Sequence, residues 1–154
     1  MRALGVDYGR RRIGLALSDA SGLLARPWKT IERTGNSQQV ARALVGEIER
    51  LQREDETVAA IVIGHPRRLS GEPNEQTAHV EQLAGHLRAL VRVPVVLQDE
   101  RLTSHEADAV LSRTEKDWRK RKPQLDAMAA AVILQDYLDE RALERSVRTE
   151  GEDE

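Results

Sequence analysis

The sequence predicts an α/β fold in which a mixed five-stranded sheet, with three antiparallel and then two parallel strands, carries helices on both faces. The first third of the chain alternates short apolar runs with turns, which is typical of an antiparallel meander. Two later apolar runs each follow an amphipathic helix, which favours parallel crossovers. Aromatic residues make up only 3% of the chain, so the core must consist of Ala, Val, Leu and Ile.

Turn residues delimit the strands of the meander. Residues 2–8 form the first strand, and residues 13–18 pair back on it after the turn at 9–12. Residues 23–32 supply the third strand. Pro27 indicates that this strand lies at the edge of the sheet, because proline has no amide hydrogen to donate to a neighbour.

The later elements follow from hydrophobic spacing. Helical periodicity predicts a helix over 37–54 and a second one whose stripe is Val80, Leu83, Leu87 and Leu90. Short apolar runs at 58–63 and 93–97 read as buried strands. Thr103 and Glu106 form a capping box that opens a helix through Leu111. A final helix over 124–138, with Pro123 in its first turn, completes one domain of residues 1–138, and residues 139–154 are expected to be a charged, frayed tail.

Composition excludes several classes of protein. The chain has no cysteine, so disulfides, thiolate metal sites and a cysteine nucleophile are absent. No apolar stretch approaches the ~18 residues of a membrane span, so we expect a cytoplasmic protein without a membrane partner. There are 24 basic and 26 acidic residues, and the net charge of −2 decides neither for nor against a nucleic-acid partner.

Three acidic residues stand in contexts that suggest a site. Asp7 lies near the carboxyl end of the first strand, Glu100 follows the last strand, and Asp126 lies in the first turn of the final helix as predicted. Sites in α/β sheets form beyond the carboxyl ends of parallel strands, and a helix packed across that edge would bring the third acid alongside. Carboxylates without His or Cys suit Mg²⁺ or Mn²⁺, and two such ions promote phosphodiester cleavage.

Each acid also has a structural interpretation. Asp7 could cap the turn at Gly9, Glu100 could pair with a neighbouring arginine, and Asp126 could be stabilised by the positive end of its helix. Asp99 competes with Glu100, because adjacent strand residues face opposite sides of a sheet. Asp19 is excluded from the site, because it lies at the far end of the second strand.

Basic residues flank the proposed site in three clusters. One adjoins Asp7, one follows the fourth strand, and one precedes Asp126. Three such clusters around one acidic centre suggest a groove for a phosphate backbone. The candidate nucleic-acid contacts are Arg10, Arg12, Arg67, Arg68, Arg119, Lys120, Arg121 and Lys122.

Four segments of the chain resemble a known family in order and spacing. They read DYGRRRIGLALSD from residue 7, GHPR from residue 64, DERLTS from residue 99 and DAMAAAVILQ from residue 126. The family is YqgF, also called RuvX, or Holliday-junction-resolvase-like proteins, and the resemblance runs over residues 2–138. It implies a ribonuclease-H-like fold and a metal-dependent nuclease whose acids are Asp7, Glu100 and Asp126.

The resemblance also implies a substrate. Members of the family are described as maturing the 5′ end of pre-16S rRNA, which makes structured RNA the expected partner, together with a ribosomal subunit. The older label comes from junction resolvases, so branched DNA stays open as a substrate. The chain departs from the family at His65, where an apolar residue is usual. It also has Ala129 one turn after Asp126, where related resolvases tend to carry a second acid, and this disfavours a dedicated resolvase.

Two other hypotheses keep the same residues but change the class of protein. The first is a non-catalytic module that binds RNA or the ribosome and keeps the acids for structure. The second is an actin-like phosphotransferase, which also begins with an Asp-x-Gly turn. The chain has no Ser or Thr at residues 10–12 to contact a nucleotide phosphate, and 154 residues leave no room for a second lobe.

Overall fold

The computed structural model describes residues 2–66, 75–99 and 118–152, with side chains from residue 124 to residue 149 in the last range. Five strands and three helices lie in these ranges. In chain order they are β1 (Arg2–Tyr8), β2 (Arg12–Ser18), β3 (Ala25–Glu32), α1 (Ser37–Arg53), β4 (Val58–His65), α2 (Glu75–Leu90), β5 (Val95–Asp99) and α3 (Trp118–Glu152).

The strands form one sheet in the order β3-β2-β1-β4-β5. The pairs β1–β2 and β2–β3 are antiparallel, whereas β1–β4 and β4–β5 are parallel, so the predicted mixed sheet is confirmed. Asp7 of β1 lies opposite Gly14 of β2. Pro27 lies on β3, which is an edge strand as predicted, beside a register shift between Leu15 and Ala16 of β2.

Side chains alternate between the two faces of the sheet, and each face has its own apolar core. One face packs against α1 and α2, and its largest fully buried strand residues are Leu4, Val6, Ile13, Leu15, Ile61 and Ile63. The other face packs against α3 and carries small residues. Ala3, Ala16 and Val62 meet Ala130, Ile133 and Leu134 of the helix there. Small strand residues leave room for a helix that lies close to the sheet.

Two glycines set how close α3 comes. A Cβ atom built on Gly5 would lie 2.8 Å from the carbonyl oxygen of Ala130 and 2.8 Å from the Cβ of Leu134. A Cβ on Gly14 would overlap the backbone carbonyl of Asp126 and lie 2.8 Å from the nitrogen of Ala127. The backbone of α3 therefore rests directly on β1 and β2, without an intervening side chain.

The cap of α1 agrees with its sequence. The Asn36 side chain accepts a hydrogen bond from the backbone of Gln39, and the Gln39 side chain accepts one from the backbone of Asn36. This reciprocal pair satisfies two amides that the first turn leaves without a partner. The predicted helix over 37–54 is confirmed to within one residue.

The final helix is longer than the sequence predicts. We expected a charged loop to residue 122 and a tail from residue 139, but α3 is continuous from Trp118 to Glu152. Pro123 is its sixth residue rather than part of its first turn. The residues from 139 to 149 are exposed, so their apolar burial contributes little to the helix. The predicted helix between Thr103 and Leu111 lies outside the described residues. Among those that are described, no helix is long and apolar enough to cross a membrane.

Replacing Gly14 by Ala should destabilise the protein, because the new methyl group would push α3 away from β2. We expect a loss of about 1–3 kcal/mol in the free energy of unfolding, as for other overpacked cores. Gly46→Ala is the matched control: it lies within α1, and a Cβ there meets nothing within 4 Å. That change should stabilise the protein by about 0.5–1 kcal/mol. Urea unfolding measures both, and equal stability of the two variants would contradict the close contact.

Candidate active site

The structure brings two of the three predicted acids together. Asp7 belongs to the face of β1 that packs against α3, and its neighbour across the ladder is Gly14. Gly14 lies beneath the backbone of Asp126, so the helix is held where the charges of Asp7 and Asp126 interact. Glu100, the third predicted acid, lies outside the described residues.

The Asp7 carboxyl is in an unfavourable environment for a negative charge. Burial, and then the nearby charge of Asp126, raise its pKa from a usual value of 3.8 to about 7. Its carboxylate accepts no hydrogen bond from the part of the chain that the structure describes. The turn at Gly9 is closed by the backbone carbonyl of Asp7, which accepts from the Gly9 amide at 3.1 Å. The side chain of Asp7 is therefore not needed to hold this turn.

Asp126 has a partner of opposite charge. Arg12, at the start of β2, donates from Nε to Oδ2 of Asp126 at 2.9 Å, and the two side chains are 27% and 25% exposed. We expected Arg12 to contact nucleic acid, but in this structure its guanidinium orients Asp126. The alternative role of Asp126 at the positive end of its helix is wrong. It is the ninth residue of α3, and the effect of the helix dipole fades within the first turn.

The register of β5 shows which face of the sheet carries Asp99, the alternative to Glu100 as a site residue. Asp99 is in register with His65 of β4. The ring of His65 lies 3.1 Å from Oε1 of Glu81 on α2, on the face away from α3. Because residues in register on neighbouring strands point to the same side of a sheet, Asp99 belongs with His65 to the face opposite Asp7.

Asp19 has a structural role, in agreement with its exclusion from the site. It lies in the connection between β2 and β3, where its carboxylate accepts hydrogen bonds from the Ser21 hydroxyl and from the amides of Leu23 and Leu24. The hydroxyl bond first, and then the amide bonds, lower the pKa of Asp19 to about 2. A carboxylate with this many donors stabilises a turn.

The arginines near Asp7 include one that the sequence analysis missed. Arg10 and Arg11 are exposed in the turn between β1 and β2. Arg33, just after β3, donates from Nη1 to the Gly9 carbonyl at 3.2 Å and lies over the Tyr8 ring, 4.2 Å from its centroid. Arg33 could have been found from the pairing of β2 with β3, which carries the end of β3 to this turn.

The other predicted basic contacts have side chains outside the part of the chain that the structure describes, so they stay predictions. Arg67 and Arg68 lie outside the described residues. The first turns of α3 carry four further basic residues, whose side chains the structure does not describe: Arg119, Lys120, Arg121 and Lys122.

The donor set fits a hard divalent cation. Asp7 and Asp126 offer carboxylate oxygens, which Mg²⁺ and Mn²⁺ prefer. A cation would also satisfy the carboxylate of Asp7 and relieve its repulsion from Asp126. Within residues 2–66, 75–99 and 118–152, no group of three or more potential metal-binding side chains is found.

The raised pKa of Asp7 predicts a pH-dependent stability. The folded protein binds this proton more tightly than the unfolded chain, so the contribution of Asp7 to stability falls as the pH rises from 3.8 to about 7 and levels off above it. The free energy of unfolding of Asp7→Asn, relative to that of the wild type, should therefore increase by on the order of 2 kcal/mol as the pH rises from about 5 to about 8. Urea unfolding with EDTA measures the difference. An equal difference in unfolding free energy between the two proteins at both pH values would contradict the raised pKa of Asp7.

The chain is similar over most of its length to curated proteins of comparable size. A relative from Syntrophus aciditrophicus, provisionally named a pre-16S rRNA nuclease, is 44% identical over 139 residues, covering 90% of this chain and 89% of that protein. A relative of the same provisional name from Nocardioides sp. is 43% identical over 142 residues, covering 90% and 88%.

Solved structures share the fold at low identity. The yeast mitochondrial Holliday junction resolvase Ydc2 superposes with a TM-score of 0.54 at 16% identity, over 96% of this chain and 81% of that one. RuvC from Thermus thermophilus, in complex with a Holliday junction substrate, gives a TM-score of 0.52 at 18% identity, over 92% and 96%. The fold is thus ribonuclease-H-like, as the resemblance implied. The model of the RuvX family, described as Holliday junction resolvase, matches residues 1–140. The chain belongs to the RuvX family.

Proposed function

We propose that this protein is a divalent-metal-dependent endonuclease that processes the 5′ end of pre-16S rRNA during ribosome maturation. The observation that carries the proposal is the pair of carboxylates formed by Asp7 and Asp126 at the carboxyl end of β1. Membership of a nuclease family and relatives provisionally named pre-16S rRNA nucleases support the reaction class and the substrate.

Asp7, Glu100 and Asp126 are the residues that would hold Mg²⁺ or Mn²⁺. When bound, two such ions activate water and stabilise the oxygen that leaves the phosphorus. The protein's own contribution is to hold the carboxylates in place before the metal arrives. Glu100 is included because the family resemblance implies it as the third acid and because it follows the last residue of β5 in the sequence.

The protonation of Asp7 would control metal binding. With its pKa near 7, the metal-free site carries a proton on Asp7 for part of the time at neutral pH, and that proton must leave before the carboxylate can bind a cation. Arg12 fixes the orientation of the Asp126 carboxylate through the bond at 2.9 Å. The two carboxylates thus differ in environment although they share the site.

The turn between β1 and β2 would hold the substrate backbone. Arg10 and Arg11 are exposed there, and Arg33 rigidifies the turn through the Gly9 carbonyl. Guanidinium groups bind phosphate oxygens with paired hydrogen bonds, and they do so in RNA and DNA alike. Arg67, Arg68 and the basic residues at 119–122 are proposed to extend this surface.

RNA is the favoured substrate, and branched DNA is the alternative. The residue one turn after Asp126 is Ala129, which is 4% exposed, so this chain has a buried alanine where an acid would stand. The family description and the fold shared with junction resolvases keep the alternative open. A non-catalytic module that binds RNA or the ribosome would keep the basic turn without the need for two facing carboxylates.

Removal of either carboxylate should abolish cleavage. Asp7→Asn and Asp126→Asn are expected to lose about 10²-fold or more in kcat, because each removes a metal-binding oxygen charge. Asp139→Asn is the matched control, since this carboxylate is exposed on the same helix and should leave kcat within about twofold. The assay uses a labelled pre-16S rRNA leader, an unstructured RNA and a four-way DNA junction, each with Mn²⁺ or with EDTA.

Each pattern of cleavage decides between the functions. Mn²⁺-dependent cleavage of the leader that both variants lose supports the proposal. Cleavage of the junction alone would establish the resolvase instead. If the wild type binds RNA but cuts no substrate in the presence of purified small ribosomal subunits, the protein is a binding module.

The exposed arginine of the turn should contribute to affinity through charge. Arg10→Ala is expected to weaken binding of the RNA leader and to reduce the slope of log K against log salt by about one. Arg42→Ala is the matched control, because Arg42 is exposed on α1, across the sheet from Asp7. Fluorescence anisotropy in EDTA at several salt concentrations measures both slopes. Equal salt dependence in the two variants would contradict a contact between the turn at Arg10 and the RNA.

A further inference from the structure

A cavity of about 420 Å³ lies at the end of the sheet opposite Asp7. It is lined by the first residues of β1 and β4, the end of β2 with its following turn, and the carboxyl-terminal half of α3, and it opens to solvent. Its volume falls in the range of pockets that bind small molecules. The cavity lies roughly 16 Å along β1 from Asp7, so it is separate from the carboxylate site.

The charge of this cavity is positive. Three of its lining residues are arginines, and no lining residue is acidic. Arg141 donates from Nη1 to the Tyr137 hydroxyl at 2.8 Å, which holds its guanidinium at the cavity. Arg145, one turn further along α3, forms no ion pair within the described residues. This concentration of positive charge stands out in a chain whose net charge is −2.

Among the described residues, no carboxylate forms an ion pair with Arg141 or Arg145. Arg2 donates to the Ser18 carbonyl at 3.3 Å and lies 3.5 Å from Oε1 of Glu56, which is 35% exposed outside the cavity. Asp19 is occupied by the hydroxyl and the amides of its own turn. Glu140 accepts a hydrogen bond from Gln98. Arg141 and Arg145 are therefore available to an anion that enters the cavity.

We infer that this cavity binds a phosphate ester through Arg141 and Arg145. Guanidinium groups bind phosphate oxygens with paired hydrogen bonds. Tyr137, Leu138 and Pro94 supply an apolar wall of the kind that a ribose or a base requires. Both arginines lie beyond residue 140, where the family match ends. The phosphate ester is either part of a free nucleotide or part of an RNA backbone.

Binding of two probes tests the cavity without any cleavage. The full chain, in EDTA, is titrated with ADP by calorimetry and with a labelled RNA of about 12 nucleotides by fluorescence anisotropy. Arg145→Glu should raise the Kd of at least one probe about tenfold or more. Arg148→Glu is the matched control, because it makes the same charge change on the same exposed stretch of α3 but does not line the cavity, and it should alter Kd less than about twofold.

The pattern of loss also identifies the source of the phosphate. A selective loss of ADP binding by Arg145→Glu indicates a nucleotide site, and a selective loss of RNA binding indicates a second contact for the substrate. Equal losses in the two variants, no loss in either, or no binding of either probe at about 1 mM would overturn the inference. If Arg145→Glu lowers Tm, the pair Arg145→Gln and Arg148→Gln makes the same comparison with a smaller change of charge.

The outcome is independent of the nuclease proposal. Cleavage depends on Asp7 and Asp126, whereas these titrations are done in EDTA with both carboxylates intact. A protein that binds a phosphate ester here and cuts nothing would keep this inference and lose the other. A protein that cuts RNA but is unaffected by Arg145→Glu would do the reverse.

Discussion

The contact between the backbone of α3 and the sheet is the constraint on which the candidate site depends. It exists because Gly5 and Gly14 present no side chain, so the helix lies at the distance of its own backbone. This position brings Asp126 to Asp7 in spite of the repulsion between them. The cost is offset by burial further along the helix, where Ile133 and Leu134 are fully buried and contribute about 1.5–3 kcal/mol each. Packing holds together two charges that would otherwise separate.

The ion pair between Arg12 and Asp126 gives the two carboxylates of the site different electrostatic environments. One carboxylate is neutralised by a guanidinium from the adjacent strand, and the other, Asp7, is left without a donor in the described part of the chain. The unfavourable electrostatic energy of the site therefore falls on Asp7, at the end of β1. A proton stabilises a buried carboxylate of this kind, and a cation bound there would do the same.

Much of the fold could be predicted because its signals are local. Alternating apolar runs defined the strands, Pro27 marked the edge, and helical spacing defined α1. Asp7 and Asp126 were predicted as site residues because strand ends and packed helices constrain where side chains meet. The extent of α3 was not predicted, because residues 139–149 carry no buried stripe and depend on the intrinsic helix propensity of Ala, Leu, Glu and Arg. Arg33 was missed because its role depends on a pairing between distant parts of the chain.

Because α3 is continuous, it fixes the distance between Asp126 and Arg141. Asp126 and Arg141 are fifteen residues apart on one uninterrupted helix, which corresponds to ~22 Å along its axis. The helix carries no proline between them and is anchored midway by Gln135, whose side chain bonds the Leu23 carbonyl and the Ala25 amide. The carboxylate pair and the arginine cavity are therefore held at a fixed separation, and a nucleic acid that bound at both proposed sites would have to span it.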